Sequence, residues 1–420
     1  MTLGQTFPNK ENTQSTTTMA KLIPSTPTSI QKAGQRIRDG HLVSFPTETV
    51  YGLGCHALDP NAVQKVFQAK ERPLTDPLIV HVNDCNSALH LWDASSTENV
   101  QTQALKTLIN QFWPGPLTLV AKASSKVPSI IMANTGFVAC RSPSHPIAQA
   151  LIESSQVPIA APSANKFGHV SPTKASHVND DLGMEDVWIV DPSLNDEDKN
   201  CEEQNGIEKS NAIVCDVGVE STVAKVEFNN DTQEGIITVL RHGAISKQDI
   251  RICLQNASLG DKIKVQSKQQ ATGDDINHVA PGQTIRHYSP NVQSYMVSHE
   301  RHCNSAEIGE TTNQERLILS KEELEIVKKA VVIDFGARLK FLQKHSLAYR
   351  DLSPNGDSDV AASKVFDTLR WSESIDGAER VYFPELNVTA NDDDNDDALV
   401  LAVKDRLTRA ASGVVVSTLI

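Results

Sequence analysis

The run LVSFPTETVYGLGCHALDPNAVQKVFQAKERPLTDPLIVHV (residues 42–82) contains the unit that sets the fold class. LVSF (42–45) reads as a short buried strand. Asp59 followed by Pro60 reads as an N-cap and first helical residue, opening a helix with Val63, Val66 and Phe67 on one face. PLIVHV (77–82) is the next strand. Apolar strands joined through a helix call for an α/β sheet covered on both faces. Between the first strand and the helix stand Pro46, Thr47, Glu48, Thr49 and Tyr51. A plain connection needs only a turn residue and a cap, so this cluster of rigid and hydrogen-bonding groups asks for a further reason.

The same alternation continues on both sides. Upstream, SIQKAGQRIRDG (29–40) places Ile30, Ala33 and Ile37 on one helical face and stops at Gly40. Downstream, PLTLVAKA (116–123), FVACR (137–141), PIAAPSAN (158–165), AIVCDVG (212–218), STVAKVEF (221–228) and IITVLR (236–241) read as strands. QALKTLINQF (103–112) and HPIAQALIES (145–154) read as helices between the earlier ones. The acidic, aperiodic stretch 193–210 is a surface insertion. After residue 292 a second alternation begins: AVVIDFG (330–336) as strand, DVAASKVFDTLRWS (359–372) as helix, RVYFPEL (380–386) as strand and LVLAVKDRLTRAAS (399–412) as helix, with the acidic loop NDDDNDD (391–397) before the last. The expected organisation is a disordered tail over 1–26, a first domain over 27–256, a polar linker over 257–292 and a smaller α/β domain over 293–420.

Composition narrows the function. The chain has 420 residues, 39% hydrophobic and 22% charged, as a soluble globular protein of two or three domains does. A formal charge of −13 argues against a broad nucleic-acid-binding face. No apolar run approaches the length of a membrane span, and the Thr/Ser/Asn/Gln-rich start has neither the apolar core of a secretory signal nor the arginines of a mitochondrial one. The seven cysteines (55, 85, 140, 201, 215, 253 and 303) form no C-x-x-C pair, which fits a reducing compartment and indicates no zinc site.

The chemistry-bearing residues fall at strand ends. Lys70 and Arg72 leave a helix together ahead of a proline-rich turn and suit phosphate oxygens; basic residues at a helix C-terminus are an equally ordinary explanation. Arg141 ends a buried strand, where it suits a bidentate carboxylate or an internal ion pair. His81 sits near the end of an apolar strand, a place more often held by a core histidine than by a ligand. Ser163, Asn165, Ser171 and Thr173 crowd one loop, Glu220, Ser221 and Thr222 another, and Arg241 and Gly243 a third. Ligand sites in open α/β sheets lie at such ends. No Walker A, G-x-G-x-x-G, G-x-S-x-G or H-E-x-x-H pattern is present.

FPTETVYGLG (45–54), KERPLTDPLIVHV (70–82), WPGPLTLV (113–120), APSANKFGHVSPT (161–173), GVEST (218–222) and LRHGAI (240–245), in this order, resemble the threonylcarbamoyl-AMP synthase family built on the YrdC-type domain. The resemblance covers about residues 27–246, and HYSP (287–290) with the second domain resembles the longer, two-domain form. It implies a YrdC-type twisted mixed sheet with flanking helices, followed by a smaller Rossmann-like α/β domain. It also implies a nucleotidyltransferase that converts L-threonine, bicarbonate or CO2 and ATP to threonylcarbamoyl-AMP and pyrophosphate, for N6-threonylcarbamoyladenosine in tRNA. By resemblance, Thr49, His81, Arg141, Ser163 and Ser221 contact threonine. Lys70, Arg72, Asp76, Phe137 (through its backbone), Asn165, Thr173, Arg241 and Tyr288 contact ATP, with Lys70 and Arg72 serving catalysis. Asp76 departs from the asparagine frequent in the family, which leaves open whether it meets ATP or helps hold Mg2+; no metal site of the protein's own is expected.

The implied setting is cytoplasmic, with a mitochondrial pool conceivable, no membrane, weak or no direct tRNA binding, and a downstream threonylcarbamoyl-transferase as partner. A non-enzymatic RNA-binding module is disfavoured by the acidic charge, and a hydrogenase-maturation carbamoyl-adenylate enzyme by the missing C-x-x-C pairs. PGQTIRHYSP (281–290) is too rich in ring and basic groups for a passive tether, and is expected to fold over the site with Tyr288 reaching ATP.

Overall fold

In the computed structural model, which describes residues 19–93, 99–195, 215–229, 234–267, 279, 287–298, 319–387 and 397–420, the opening unit folds back on itself. Strand β2 (Leu42–Phe45) pairs antiparallel with β3 (Gly52–His56), so the loop 46–51 is a tight reversal between two buried strands. GLGCH was not expected as a strand, because two glycines in five residues weaken the signal. They are needed here: a Cβ on Gly54 would lie 2.8 Å from the Ile159 and Phe45 side chains. Asp59 caps the helix Pro60–Lys70 through the Asn61 N–H at 2.9 Å, and Pro60 opens it, as the sequence predicts.

Chain order and sheet order differ throughout. The other strands of the first sheet are β1 (Lys21–Pro24), β4 (Ile79–His81), β5 (Leu117–Lys122), β6 (Phe137–Arg141), β7 (Ile159–Ala160), β8 (Val187–Asp191), β9 (Thr222–Asn229), β10 (Glu234–Arg241) and β11 (Ile263–Ser267). Their order is β1-β8-β2-β3-β7-β4-β6-β5-β9-β10-β11, a mixed eleven-stranded sheet. The expected tail therefore ends earlier, since Lys21–Pro24 pairs parallel with β8, and the sheet takes in Ile263–Ser267 from the expected linker. Both segments carry alternating or apolar residues (KLIP, IKVQS) inside polar surroundings, which masked them. Cys215–Gly218 is not extended, and the rest of AIVCDVG lies outside the described residues, as do 196–210, 280–286 and most of NDDDNDD.

The second sheet is β12 (Gln293–Val297), β13 (Ala330–Asp334), β14 (Ala348–Asp351), β15 (Arg380–Pro384) and β16 (Val415–Val416) in the order β14-β13-β15-β12-β16, with every pair parallel. No helix among the described residues is long and apolar enough to cross a membrane.

The two domains share a core. Val50, Val170 and Val219 from the first pack with Phe366, Leu369, Val403 and Leu407 from the helices Ser358–Glu373 and Ala398–Ala410 of the second. Gly218 (φ +71°) permits this approach, since a Cβ there would lie 2.4 Å from the Ser363 Cα. At the rim Arg370 donates to both Asp181 oxygens at 3.2 and 3.1 Å, and the His169 ring sits 2.9 Å from Asp181 and 2.9 Å from Glu373.

Burial alone would lower the His169 pKa, but the hydrogen bonds it donates to the Asp181 and Glu373 carboxylates outweigh it and push it up to about 9. An unfolded imidazole titrates near 6.5, so the stabilisation is fully present below that pH and is lost as pH rises through 9. The difference corresponds to about 3 kcal/mol. The melting temperature is therefore expected to fall by several degrees between about pH 7 and 9.5, and His169→Gln should flatten that slope. An unchanged slope in the variant would remove His169 from the interface energetics.

Candidate active site

A cavity of about 540 Å3, counted out to its mouth, opens where the ends of β4, β6 and β10 meet the 46–52 reversal and the loops after β7 and before β9. The reversal answers the question posed by PTET. The Thr47 hydroxyl donates to the Val50 carbonyl at 2.7 Å and accepts the N–H groups of Thr49 and Val50 at 3.2 Å each. Its single proton is thus committed, so the Thr49 hydroxyl, 2.8 Å away, donates to Thr47 and turns its lone pairs outward.

Those lone pairs meet Arg141, whose Nη1 donates to Thr49 Oγ1 at 3.0 Å while Nε donates to the Gly115 carbonyl at 3.2 Å. Nη2 lies 2.5 Å from Glu48 Oε1, and both side chains are buried. Burial would raise the Glu48 pKa, but the Arg141 charge and hydrogen bond hold it below the usual carboxylate range. Of the two readings open for Arg141, the internal ion pair is therefore present. It does not exhaust the residue, because a guanidinium has five N–H donors and three directions are taken. Beside it, His81 is buried and its Nδ1 has no hydrogen-bond partner among the described residues. Burial, followed by the Arg141 charge, pushes its pKa down to about 3, so the ring is neutral near pH 7.

Elsewhere in the lining, Arg241 donates through Nε to the Ser221 carbonyl and through Nη2 to the Ser221 hydroxyl, both at 3.1 Å. Ser221 is fixed in turn by Thr118 at 2.7 Å. Unlike Arg72 and Arg141, Arg241 has no carboxylate within ion-pair distance among the described residues. Glu220, next in the wall, accepts from Ser171 at 2.7 Å and from Arg406 Nε at 3.1 Å, and forms an ion pair with Arg406 Nη2 at 3.0 Å. Burial would raise the Glu220 pKa; the charges of Arg406 and Arg241 prevail and hold it at about 2.

The remaining sequence candidates divide. Arg72 and Ser163 line the cavity, and Arg72 is paired with Asp76 at 2.9 Å while donating to the carbonyls of Asp76 and Pro77. Asp76 is thus a buried counter-ion. Lys70 is buried off the wall, donating to the Ser163 carbonyl at 2.6 Å and to that of Asn165. Burial foremost, then the Arg72 charge, lowers its pKa well below the usual range. Asn165 and Thr173 stand outside the wall, each with a buried side-chain oxygen lacking a hydrogen-bond partner. Phe137 begins the strand that Arg141 ends, about 13 Å away at the usual rise per residue, with Lys225 Nζ 3.8 Å over its ring.

Tyr288 does not line the cavity either. It is fully buried at φ +61° and packs on Phe366 at 5.2 Å, whereas its neighbour His287 forms the wall, 6.1 Å from the Phe167 ring. No group of acidic, histidine or cysteine side chains suited to a metal occurs among the described residues. Residues 280–286 of the expected lid lie outside them.

Strand-end guanidinium and hydroxyl groups around a cavity, with a parallel α/β domain packed against it, define an α/β protein built to bind small anionic substrates. Two family models match the chain: one described as telomere recombination over residues 35–202, and the threonylcarbamoyl-AMP synthase C-terminal domain over residues 245–412. The threonylcarbamoyl-AMP synthase of Pyrococcus abyssi is 38% identical over 272 residues, 65% of this chain and 68% of its own length. That of Bacillus subtilis is 36% identical over 263 residues, 62% and 64% respectively. The crystal structure of P. abyssi Sua5 complexed with L-threonine aligns with a TM-score of 0.70 at 29% identity, covering 95% of this chain and 99% of that one. The chain belongs to the threonylcarbamoyl-AMP synthase family.

Proposed function

We propose that the cavity joins L-threonine, bicarbonate or CO2, and ATP into threonylcarbamoyl-AMP, releasing pyrophosphate, as a nucleotidyltransferase. The observation that carries this reading is the division of its charge. One wall presents Arg141 with donors to spare beside the outward lone pairs of Thr49, a fit for the carboxylate and ammonium of an amino acid. Arg241, also in the lining, has no carboxylate within ion-pair distance among the described residues, a fit for phosphate oxygens. Threonine complexed with the related Sua5 supports the first half.

Threonine, once its amine is neutral, attacks CO2 to form a carbamate and releases a proton. A carbamate oxygen then attacks the α-phosphorus of ATP and pyrophosphate leaves. In-line placement and charge neutralisation suffice for such a displacement, and the site offers both without a nucleophile. His81 lends a hydrogen bond without charge, since its ring stays neutral. Lys70, Arg72, Asn165 and Thr173 shape the ATP end, Lys70 by bracing the 163–165 loop. Glu48, Asp76 and Glu220 are each committed to an arginine, so the residues present do not fit a resident Mg2+; a divalent ion would arrive on the ATP phosphates as part of the substrate.

The product would pass to a threonylcarbamoyl-transferase acting on tRNA, in a reducing cytoplasmic setting suited to the buried free thiols Cys55, Cys140 and Cys215. Incubation with ATP, threonine and bicarbonate should release pyrophosphate only when all three are present and yield the mass of threonylcarbamoyl-adenylate. Pyrophosphate release independent of threonine would sink the assignment.

A further inference from the structure

Arg406, in the helix Ala398–Ala410 of the second domain, is fully buried and touches three segments of the first-domain site at once. It holds Glu220 through Nε and Nη2, and donates through Nη1 to the His242 carbonyl at 2.8 Å. Its guanidinium carbon lies 5.6 Å from the Tyr288 ring centroid. Glu220 is itself in the cavity wall, and His242 and Tyr288 directly follow the wall residues Arg241 and His287. Among the described residues no second-domain side chain lines the cavity, so Arg406 reaches it only through these contacts.

We propose that Arg406 is a positioning residue for ATP, by which the second domain completes the phosphate end of the site: it cancels the Glu220 carboxylate and pins the backbone beside Arg241 and His287. This inference rests on the cavity being an ATP site. Without Arg406, Glu220 would keep only its Ser171 hydrogen bond and the more distant Arg241 charge, and a carboxylate without its paired cation would face the triphosphate in a poorly solvated wall, where like charges repel strongly. Threonine, held near Arg141, would feel the change far less.

The experiment uses the full chain, with ATP and threonine titrated separately by calorimetry and each protein checked by thermal melt. Wild-type protein that fails to bind ATP would refute the functional reading itself, before any variant is compared. Given wild-type binding, Arg406→Met should raise the ATP Kd about tenfold or more and leave the threonine Kd within about twofold. Adding Glu220→Gln to Arg406→Met should bring the ATP Kd back to within about threefold of wild type.

The double variant buries neither charge, so it stays informative if the single one does not fold. Equal weakening of ATP and threonine, an unchanged ATP Kd in folded Arg406→Met, or a folded double variant still about tenfold weaker would each overturn the proposal.

Discussion

Arg141→Ala should raise the threonine Kd by roughly 30- to 1000-fold while ATP binding changes by no more than a few-fold. Loss of a charge-assisted pair with a carboxylate costs about 2–4 kcal/mol, and each 1.4 kcal/mol is about tenfold. The same substitution leaves Glu48 as a buried carboxylate without its cation, since Arg141 is the arginine 2.5 Å from it. Breaking such a pair costs about 3–5 kcal/mol of stability, so weak binding by the single variant does not separate a lost contact from a lost fold. Arg141→Ala combined with Glu48→Gln separates the two effects. The double variant should melt close to wild type and still fail to bind threonine. Threonine affinity restored along with stability would show that Arg141 is a strut for the 46–52 reversal and nothing more.

Arg241→Ala should produce the mirror image, with the ATP Kd raised about 10- to 150-fold and threonine nearly untouched, from the roughly 1.5–3 kcal/mol of hydrogen bonds to a charged group. Here the fold should survive, because no carboxylate within ion-pair distance is orphaned among the described residues. Arg241→Lys should fall between. It keeps the charge but cannot span the Ser221 carbonyl and hydroxyl with one planar fork. Calorimetry with each substrate reads the split directly. Unchanged ATP affinity, with a lowered melting temperature, would move the phosphates away from this wall.

The fold class and the position of the cavity were legible because both rest on local pattern. Buried strands such as LVSF and PLTLVAKA announce themselves by composition, and polar groups at their ends mark the edge where ligands bind in open α/β sheets. Partnerships across the chain were not legible. Nothing near Arg141 in sequence points to Glu48, 93 residues earlier, and nothing in the residues flanking Arg406 marks it as anything but a helix-surface arginine.

The HYSP segment shows the same limit at the scale of one bond. Either His287 or Tyr288 could have faced the cavity; the left-handed backbone at Tyr288 turns its ring into the inter-domain core and leaves His287 at the wall. Lys70 has a similar history. A basic side chain after a helix suits phosphate, yet this one is spent on two backbone carbonyls, a use that depends on where the 163–165 loop passes.

The strand order has a consequence for how the molecule comes into being. β1 waits for β8, β5 waits for β9, and the wall of the cavity is drawn from residues between Thr47 and His287. Among the described residues the antiparallel pairs of consecutive strands are β2–β3, β5–β6 and β9–β10; most other ladders join strands far apart in the chain. Topologies of such high contact order pay loop-closure entropy before their contacts repay it, and they fold slowly. Until the chain past residue 187 has been made, β1 has no partner strand and β2 has only β3, so both present an unpaired edge to whatever is nearby. High expression should therefore send this protein towards chaperones and aggregates sooner than a helical protein of equal length and stability.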